Sequence, residues 1–258
     1  MCSNRMPKTY IVGVGLGSPK YLTDMAREAV RSSEIVLGWE LDLFPIKDLL
    51  QNKEIHIQNV SNYTEVARRV AELAKKEGKT VAVARIGDPC ISSGLLGLLE
   101  TFSGFDVEIV PGISSTQLAA SLARINIDDS VIVSFHDYGD PEMEKKFMLE
   151  AFRAGRHLII LTSPDLAPSE AANFLISEGC DPSTLVVVCS NLTLDEQKVE
   201  YSTLGGIIQR RFHWLSVVAV MNPSTPTNQE AYSTWKKWRE LSGHDPPLAS
   251  STATRSQT

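Results

Sequence analysis

The chain has 258 residues, of which 43% are hydrophobic and 22% charged, and its net charge is −6. A chain of this length and hydrophobic content can bury complete cores without a metal or disulfides. The acidic balance excludes a protein held mainly to nucleic acid phosphates, because such binding needs a concentrated positive surface. The four cysteines form no C-x-x-C pair and have no regular spacing from histidines, so we predict neither a metal site nor a disulfide framework.

Residues 1–8 are polar and lack the apolar core of a signal peptide. The longest apolar runs are shorter than a membrane span. We therefore expect a cytoplasmic protein with neither a membrane nor a nucleic acid partner.

The first half of the chain alternates short β-branched runs with helical patterns, which is typical of an α/β fold with largely parallel sheets. Strands are predicted at 10–15, 35–38, 54–57, 80–84 and 107–110. Helices are predicted at 22–31, at 43–50, between Asn62 and Gly78, at 95–102 and at 114–122.

Residues 124–129 are polar, carry no helical face and precede a new series of strands, so we expect a joint between two domains there. Further strands are predicted at 131–135, 158–161, 185–188 and 215–220, with helices at 142–152 and 168–177. The predicted units are an N-terminal α/β domain at 1–127, a C-terminal α/β domain at 128–222, and an extension at 223–258 whose end is disordered.

Three loops that could bind a ligand follow predicted strands. The first is Gly13-Val-Gly-Leu-Gly-Ser-Pro, whose glycines allow close approach of a ligand to the backbone. The second contains Gly87-Asp-Pro, and the third is Pro111-Gly-Ile-Ser-Ser. Each loop also has a purely structural interpretation, in which Asp88 caps its own turn and Ser114 is an ordinary N-cap. Since the carboxyl ends of neighbouring parallel strands form one crevice, we expect the three loops to face one cleft.

Two other classes of protein stay open at this point. The glycines of the first loop lack the spacing of the dinucleotide fingerprint, but Glu40 follows the second strand, where an acid would bind a ribose. A nicotinamide- or flavin-binding oxidoreductase is therefore one alternative. A non-catalytic module with a degenerate ligand cleft is another.

The ordered set G-x-G-x-G-S-P, G-D-P and P-G-I-S-S, followed by a second α/β half, resembles the tetrapyrrole methylase family over about residues 8–222. The strand-end segment Ser134-Phe-His136, the Gln117-Leu-Ala-Ala part of the helix after P-G-I-S-S and the pair Asp195-Glu196 resemble the members that methylate C5 of cobalt-precorrin-7 in cobalamin biosynthesis. Methylation of another precorrin carbon, of diphthine precursors or of ribosomal RNA is the alternative within the family.

The resemblance implies an S-adenosylmethionine-dependent methyltransferase that binds its cosubstrate in a cleft between two α/β domains and acts as a homodimer. It also implies a separate enzyme for the decarboxylation and C15 methylation of the pathway, because this chain has no room for a further domain. The implied cofactor contacts are Leu16, Ile86, Gly87, Asp88, Ile91, Ser114, Ser115, Thr162 and Leu192. Leu16 stands where the family usually has proline, which puts substrate contacts from the first loop in doubt.

A tetrapyrrole with several carboxylates needs cationic or hydrogen-bonding partners. Arg85 directly follows a buried strand and is expected to bind substrate, although an ordinary structural ion pair is an equal alternative. His136 is the second candidate for a substrate contact. A sulfonium methyl group is already activated, so alignment matters more than a strong base, and we assign no catalytic residue.

Overall fold

The computed structural model describes residues 6–136, 140–164 and 166–225. These residues form two five-stranded sheets with helices packed against them. The α/β fold class is confirmed. Cys2 and the extension beyond Thr225, including the end that we predict to be disordered, lie outside the described residues.

The first sheet is entirely parallel, with the order β3-β2-β4-β1-β5. Its strands are β1 Lys8–Gly13, β2 Ile35–Gly38, β3 Glu54–Ile57, β4 Val81–Arg85 and β5 Asp106–Val110. Strands β2 and β4 are buried along their whole length, as expected where helices cover both faces of a parallel sheet. All five strands were predicted from their β-branched runs.

The second sheet has the order β6-β7-β10-β8-β9. Its strands are β6 Ser130–Ser134, β7 His157–Leu161, β8 Leu185–Ser190, β9 Lys198–Thr203 and β10 Ser216–Val220. Only β6 and β7 pair in parallel, whereas the other three pairings are antiparallel. This corrects the expectation of a largely parallel second sheet. Strand β9 was not predicted, because an edge strand with polar residues on both faces lacks the apolar run of a buried strand.

The helices are α1 Asp24–Ser32, α2 Glu40–Leu43, α3 Tyr63–Glu77, α4 Leu95–Thr101, α5 Ser115–Ala123, α6 Pro141–Arg153, α7 Pro168–Ser177 and α8 Leu204–Ile207. Helix α3 ends as predicted at Gly78, which has a left-handed φ of 68°. The single helix predicted at 43–50 is instead the short α2 followed by a 3-10 segment, Phe44–Leu49. Pro45 lies at the start of that segment and has no amide hydrogen with which to extend α2.

Helix α5 packs against the second sheet although it directly follows the last strand of the first. Ala119, Ala120 and Ala123 share a buried cluster with Ile159 of β7 and Val217 of β10. The change from one core to the other therefore falls between β5 and α5, before the joint that the sequence indicated at 124–129. The alanine face of α5 allows this close approach to the sheet, and the sequence alone does not say which sheet it covers.

Among the residues that the structure describes, no helix is long and apolar enough to cross a membrane.

Candidate functional site

Three loops of the first sheet meet beyond the neighbouring strands β4, β1 and β5. Gly15 and Gly87 exchange two backbone hydrogen bonds, of 3.3 and 2.6 Å, which join the first loop to the G-D-P loop. A Cβ atom on Gly112 would overlap the carbonyl oxygen of Gly87 and crowd the backbone of Gly13. The P-G-I-S-S loop thus packs backbone to backbone against the other two, which requires glycine at position 112.

Asp88 connects two of these loops through its carboxylate. Its Oδ1 accepts a hydrogen bond of 2.8 Å from the Cys90 amide, which closes the turn after Pro89. Its Oδ2 accepts a bond of 2.9 Å from the Gly112 amide, 24 residues further along the chain. Asp88 therefore caps its own turn and also holds the P-G-I-S-S loop in place. Both oxygens bind backbone amides, which favours a positioning role over that of a general base.

Ser114 begins helix α5 as a buried N-cap. Its hydroxyl accepts a hydrogen bond of 3.1 Å from the Thr116 amide. The side-chain oxygen of Gln117 accepts a bond of 2.7 Å from the Ser114 amide. This reciprocal pair is a capping box. It fixes the helix start, where Ser114 and Ser115 line the cleft.

Hydrogen bonds between the two sheets' loops close the cleft on two sides. The Thr193 hydroxyl donates to the Leu16 carbonyl at 2.6 Å and accepts from the Ser18 amide at 3.0 Å. On the other side, the Ser92 hydroxyl donates to the Ser134 hydroxyl at the end of β6. These contacts hold the first loop and the G-D-P loop against the second sheet.

The cleft contains a pocket of about 120 Å³ between the two sheets. The structure brings the following predicted site residues together in its lining: Leu16, Ile86, Gly87, Asp88, Ile91, Ser114, Ser115, His136 and Leu192. The expectation that the three loops face one cleft is therefore met. Leu16, which stands where the family usually has proline, is 6% exposed and forms part of the pocket wall.

Sequence reasoning missed the part of the lining that the second sheet contributes. These residues are Leu161, Cys189, Leu215, Ser216 and Val217, together with Ser92 of the G-D-P loop. Residues 215–217 lie at the start of β10, which runs antiparallel to β7 and β8. A prediction that considers only the carboxyl ends of strands therefore omits residues 215–217. They become candidates once the direction of β10 is known.

The second sheet makes this side of the pocket apolar. Cys189 is 1% exposed, and burial raises the pKa of its thiol to about 12. The thiol stays protonated at neutral pH, which excludes it as a thiolate nucleophile. A partly open apolar space of this size admits a ring-sized group.

Two predicted site residues lie outside the pocket lining. Thr162 is fully buried, and its hydroxyl donates to the carbonyl of Ser216 at 2.8 Å, so it supports a lining residue from behind. Arg85 is 4% exposed and forms an ion pair with Asp42 at 3.5 Å. A contact between Arg85 and a substrate carboxylate would require this pair to be broken. The geometry thus matches the structural alternative for Arg85.

The buried pair is supported by several polar groups. The Arg85 guanidinium donates to the Ala84 carbonyl at 2.8 Å and to Oε1 of Gln58 at 3.1 Å, and the ring of Tyr63 lies 5.4 Å from it. Burial raises the pKa of Asp42, and the Arg85 charge and two backbone hydrogen bonds oppose that rise. Sequence analysis missed Asp42, because an acid in a short helix is usually exposed.

A second cavity, of about 860 Å³, lies beside the pocket, and Leu215 lines both. Its walls include the aromatic side chains of Trp39, Phe44 and Trp214. Glu40 lines this cavity and not the pocket, so it does not stand where the oxidoreductase alternative needs a ribose-binding acid.

Within the described part of the chain, no cluster of three histidine, cysteine or acidic side chains has the geometry to hold a metal.

The family model for Tetrapyrrole (Corrin/Porphyrin) Methylases matches residues 8–208. The chain belongs to the tetrapyrrole methylase family. A probable cobalt-precorrin-7 C(5)-methyltransferase of Methanocaldococcus jannaschii is 33% identical to this tetrapyrrole methylase over 81% of the chain and 95% of the relative. A cobalt-precorrin-4 C(11)-methyltransferase of the same organism is 26% identical over 81% of the chain and 83% of that relative.

Solved structures agree with the fold of this tetrapyrrole methylase. The precorrin-6Y methylase of Archaeoglobus fulgidus superposes with a TM-score of 0.65 at 21% identity, covering 84% of the chain and 99% of that structure. The methyltransferase CobJ gives a TM-score of 0.70 at 20% identity, covering 83% of the chain and 94% of that structure. The predictions of the family and of methyltransferase activity are confirmed by the family match and by the similar sequences.

Proposed function

We propose that this tetrapyrrole methylase transfers a methyl group from S-adenosylmethionine to C5 of a precorrin or cobalt-precorrin in cobalamin biosynthesis. The observation that carries the proposal is the 33% identity to a probable cobalt-precorrin-7 C(5)-methyltransferase along almost the whole of that relative. Relatives whose names specify other precorrin positions are less similar, at 26% identity for the C(11) enzyme.

The pocket has the chemistry that S-adenosylmethionine needs. The second sheet contributes an apolar side that suits an aromatic base, and the first sheet contributes backbone groups at strand ends. The residues proposed to hold the cosubstrate are Leu16, Ile86, Gly87, Asp88, Ile91, Ser114, Ser115 and Leu192, with Thr162 supporting them through Ser216. When bound, the cosubstrate supplies a methyl group already activated by its sulfonium.

The residues of the chain then have to orient the reactants and exclude water. The bond that Asp88 accepts from Gly112 and the bond that Thr193 donates to Leu16 hold the pocket's loops at fixed positions, so little reorganisation is needed when a ligand binds. Cys189 remains a neutral thiol, and Asp88 is occupied by two amides. We therefore propose catalysis by alignment, without a protein nucleophile or a general base.

The tetrapyrrole substrate needs more room than the pocket has. The neighbouring cavity has that room, and its aromatic side chains suit a flat ring system. Glu40 and Asp195 line this cavity. Their carboxylates can accept hydrogen bonds from N–H groups of the ring but would repel carboxylates of the substrate. His136, which is exposed and lines the pocket, is the residue proposed to meet a substrate carboxylate.

Two further expectations are also proposed for this chain: assembly as a homodimer, which the family resemblance implies, and a place in the cytoplasm. The decarboxylation and C15 methylation that accompany C5 methylation are assigned to a separate enzyme.

The test is an incubation of the protein with S-adenosylmethionine carrying a ¹³C-labelled methyl group and a panel of precorrins, with and without cobalt. The proposal expects the label at C5 of one substrate, located by NMR. Label at another carbon would mean that this chain has the position specificity of a different member of the family. Absence of transfer to every precorrin would refute the role in cobalamin biosynthesis and direct attention to diphthine precursors or ribosomal RNA.

A further inference from the structure

Asp42 connects the two cavities of the cleft. Its Oδ1 accepts a hydrogen bond of 2.8 Å from the amide of Ile86, which lines the pocket. It also accepts a bond of 2.9 Å, through Oδ2, from the amide of Trp39, which lines the second cavity. One carboxylate thus holds the loop after β2 and the loop after β4 at a fixed separation.

The surroundings of Asp42 make this arrangement rigid. The side chains of Asp42 and Arg85 are each 5% exposed, so water does not compete for their contacts. Arg85 is itself anchored to Gln58 and to its own strand through Ala84. Both oxygens of the Asp42 carboxylate are engaged, Oδ1 by the Ile86 amide and Oδ2 by the Trp39 amide and the Arg85 guanidinium. It does not touch the pocket, so any effect on ligands passes through the loops.

We propose that Asp42 is a positioning residue for the cosubstrate: its bond to the Ile86 amide sets the Ile86–Asp88 segment of the pocket. The Arg85 charge favours the charged form of Asp42 and opposes the burial that raises the pKa of its carboxyl, and the hydrogen bonds to backbone do the positioning. A purely structural role makes a different prediction, in which ligand affinity follows the loss of stability whichever partner of the ion pair is changed.

Three variants separate these roles, with S-adenosylhomocysteine as the probe. Arg85→Lys keeps a cation beside Asp42, and with it both acceptor oxygens, but cannot reproduce the guanidinium's bonds to Ala84 and Gln58. Asp42→Asn removes the ion pair and keeps one acceptor oxygen for two amides. Asp42→Ala removes the ion pair and both acceptors. Each variant leaves a buried group without its partner and is expected to melt at a lower temperature than the wild type.

The expected order of affinity differs from the order of stability. Arg85→Lys should bind the probe within about twofold of the wild type, because the Ile86 amide keeps its charged acceptor. Asp42→Ala should bind roughly tenfold or more weakly, and Asp42→Asn should lie between the two. The control Asp48→Asn changes an exposed acid on the 3-10 segment after α2 that lines neither cavity, and it should change neither affinity nor melting temperature.

The inference rests on the proposed use of S-adenosylmethionine, and the wild type separates the two claims. A wild type that does not bind the probe refutes the proposed cosubstrate. If the wild type binds, and Arg85→Lys loses as much affinity as the Asp42 variants, the positioning role is refuted. Wild-type affinity in Asp42→Ala refutes it as well. Should Asp42→Ala not fold, the comparison of Asp42→Asn with Arg85→Lys decides by the same criterion.

Discussion

The Asp88 carboxylate and the Gly112 amide, 24 residues apart in sequence, form a 2.9 Å hydrogen bond that joins two loops of the cleft. Without the Asp88 oxygen, the Gly112 amide has to find water or shift, and the P-G-I-S-S loop shifts with it. The three loops pack backbone to backbone, so a change in one of them displaces the others. The pocket is therefore sensitive to residues that a ligand itself need not touch.

Replacing Asp88 by Ala is expected to weaken S-adenosylhomocysteine binding by about 1–3 kcal/mol, because two backbone amides lose a charged acceptor. Calorimetry measures the affinity. Asp181→Ala is the matched control, since Asp181 makes the same bond to the amide two residues on, at Ser183, far along the chain from these loops. Equal affinity of Asp88→Ala and the control would leave Asp88 with a turn-capping role only.

Gly112→Ala is expected to destabilise the protein by roughly 1–3 kcal/mol, because the added methyl group overlaps the Gly87 carbonyl and the backbone has to move. Gly97→Ala provides the contrast. Gly97 lies in helix α4 with open space around its Cβ position, so alanine should stabilise by about 0.5–1 kcal/mol. Urea denaturation gives both values. A neutral Gly112→Ala would show that the loops are not packed as tightly as described.

Most of the fold follows from local sequence. Each strand of the first sheet contains β-branched residues and lies between turns, and the helix ends at Ser114 and Gly78 have their own capping residues. The mixed strand directions of the second sheet are not predictable from local sequence. They depend on the path of the chain between strands and not on the composition of each strand. The same reason hides the pocket residues Ser216 and Val217, which lie at the beginning of their strand.

The candidate site was predictable where a residue type is tied to a loop geometry, as for Asp88 before Pro89. The site was not predictable where the role of a residue depends on which other residue it contacts in the folded protein. Arg85 follows a buried strand, which fits a ligand contact and an ion pair equally well, and only the position of Asp42 in space distinguishes them. A single sequence contains no signal that Asp42 and Arg85 meet.

Glu40→Ala is expected to leave S-adenosylhomocysteine affinity unchanged, because Glu40 lines the second cavity and not the pocket. The oxidoreductase alternative expects the opposite, since loss of the acid would remove a ribose hydrogen bond to a dinucleotide. Titration of both proteins with NADH completes the comparison. NADH binding that is lost in Glu40→Ala would favour the oxidoreductase.

Stability should fall as the pH decreases below about 6.5, in part because of His157. Burial lowers the pKa of His157, and its Nδ1 accepts a hydrogen bond of 2.9 Å from the Asn222 amide. The folded state therefore binds this proton less readily than the unfolded state, and acid favours unfolding. His157→Asn keeps an acceptor without the titration. Urea denaturation at pH 7.5 and 5.5 should show a smaller decrease in the variant, and an identical decrease would contradict the assignment.

The most direct test of the account is calorimetric titration of the wild-type protein with S-adenosylhomocysteine. We expect one binding site per chain, formed by the pocket between the two sheets. Bound ligand should also raise the melting temperature, with about 2.7 kcal/mol of added stability at a hundredfold excess over Kd. Absence of both heat and thermal shift at saturating ligand would contradict the assignment of this cleft as the cosubstrate site.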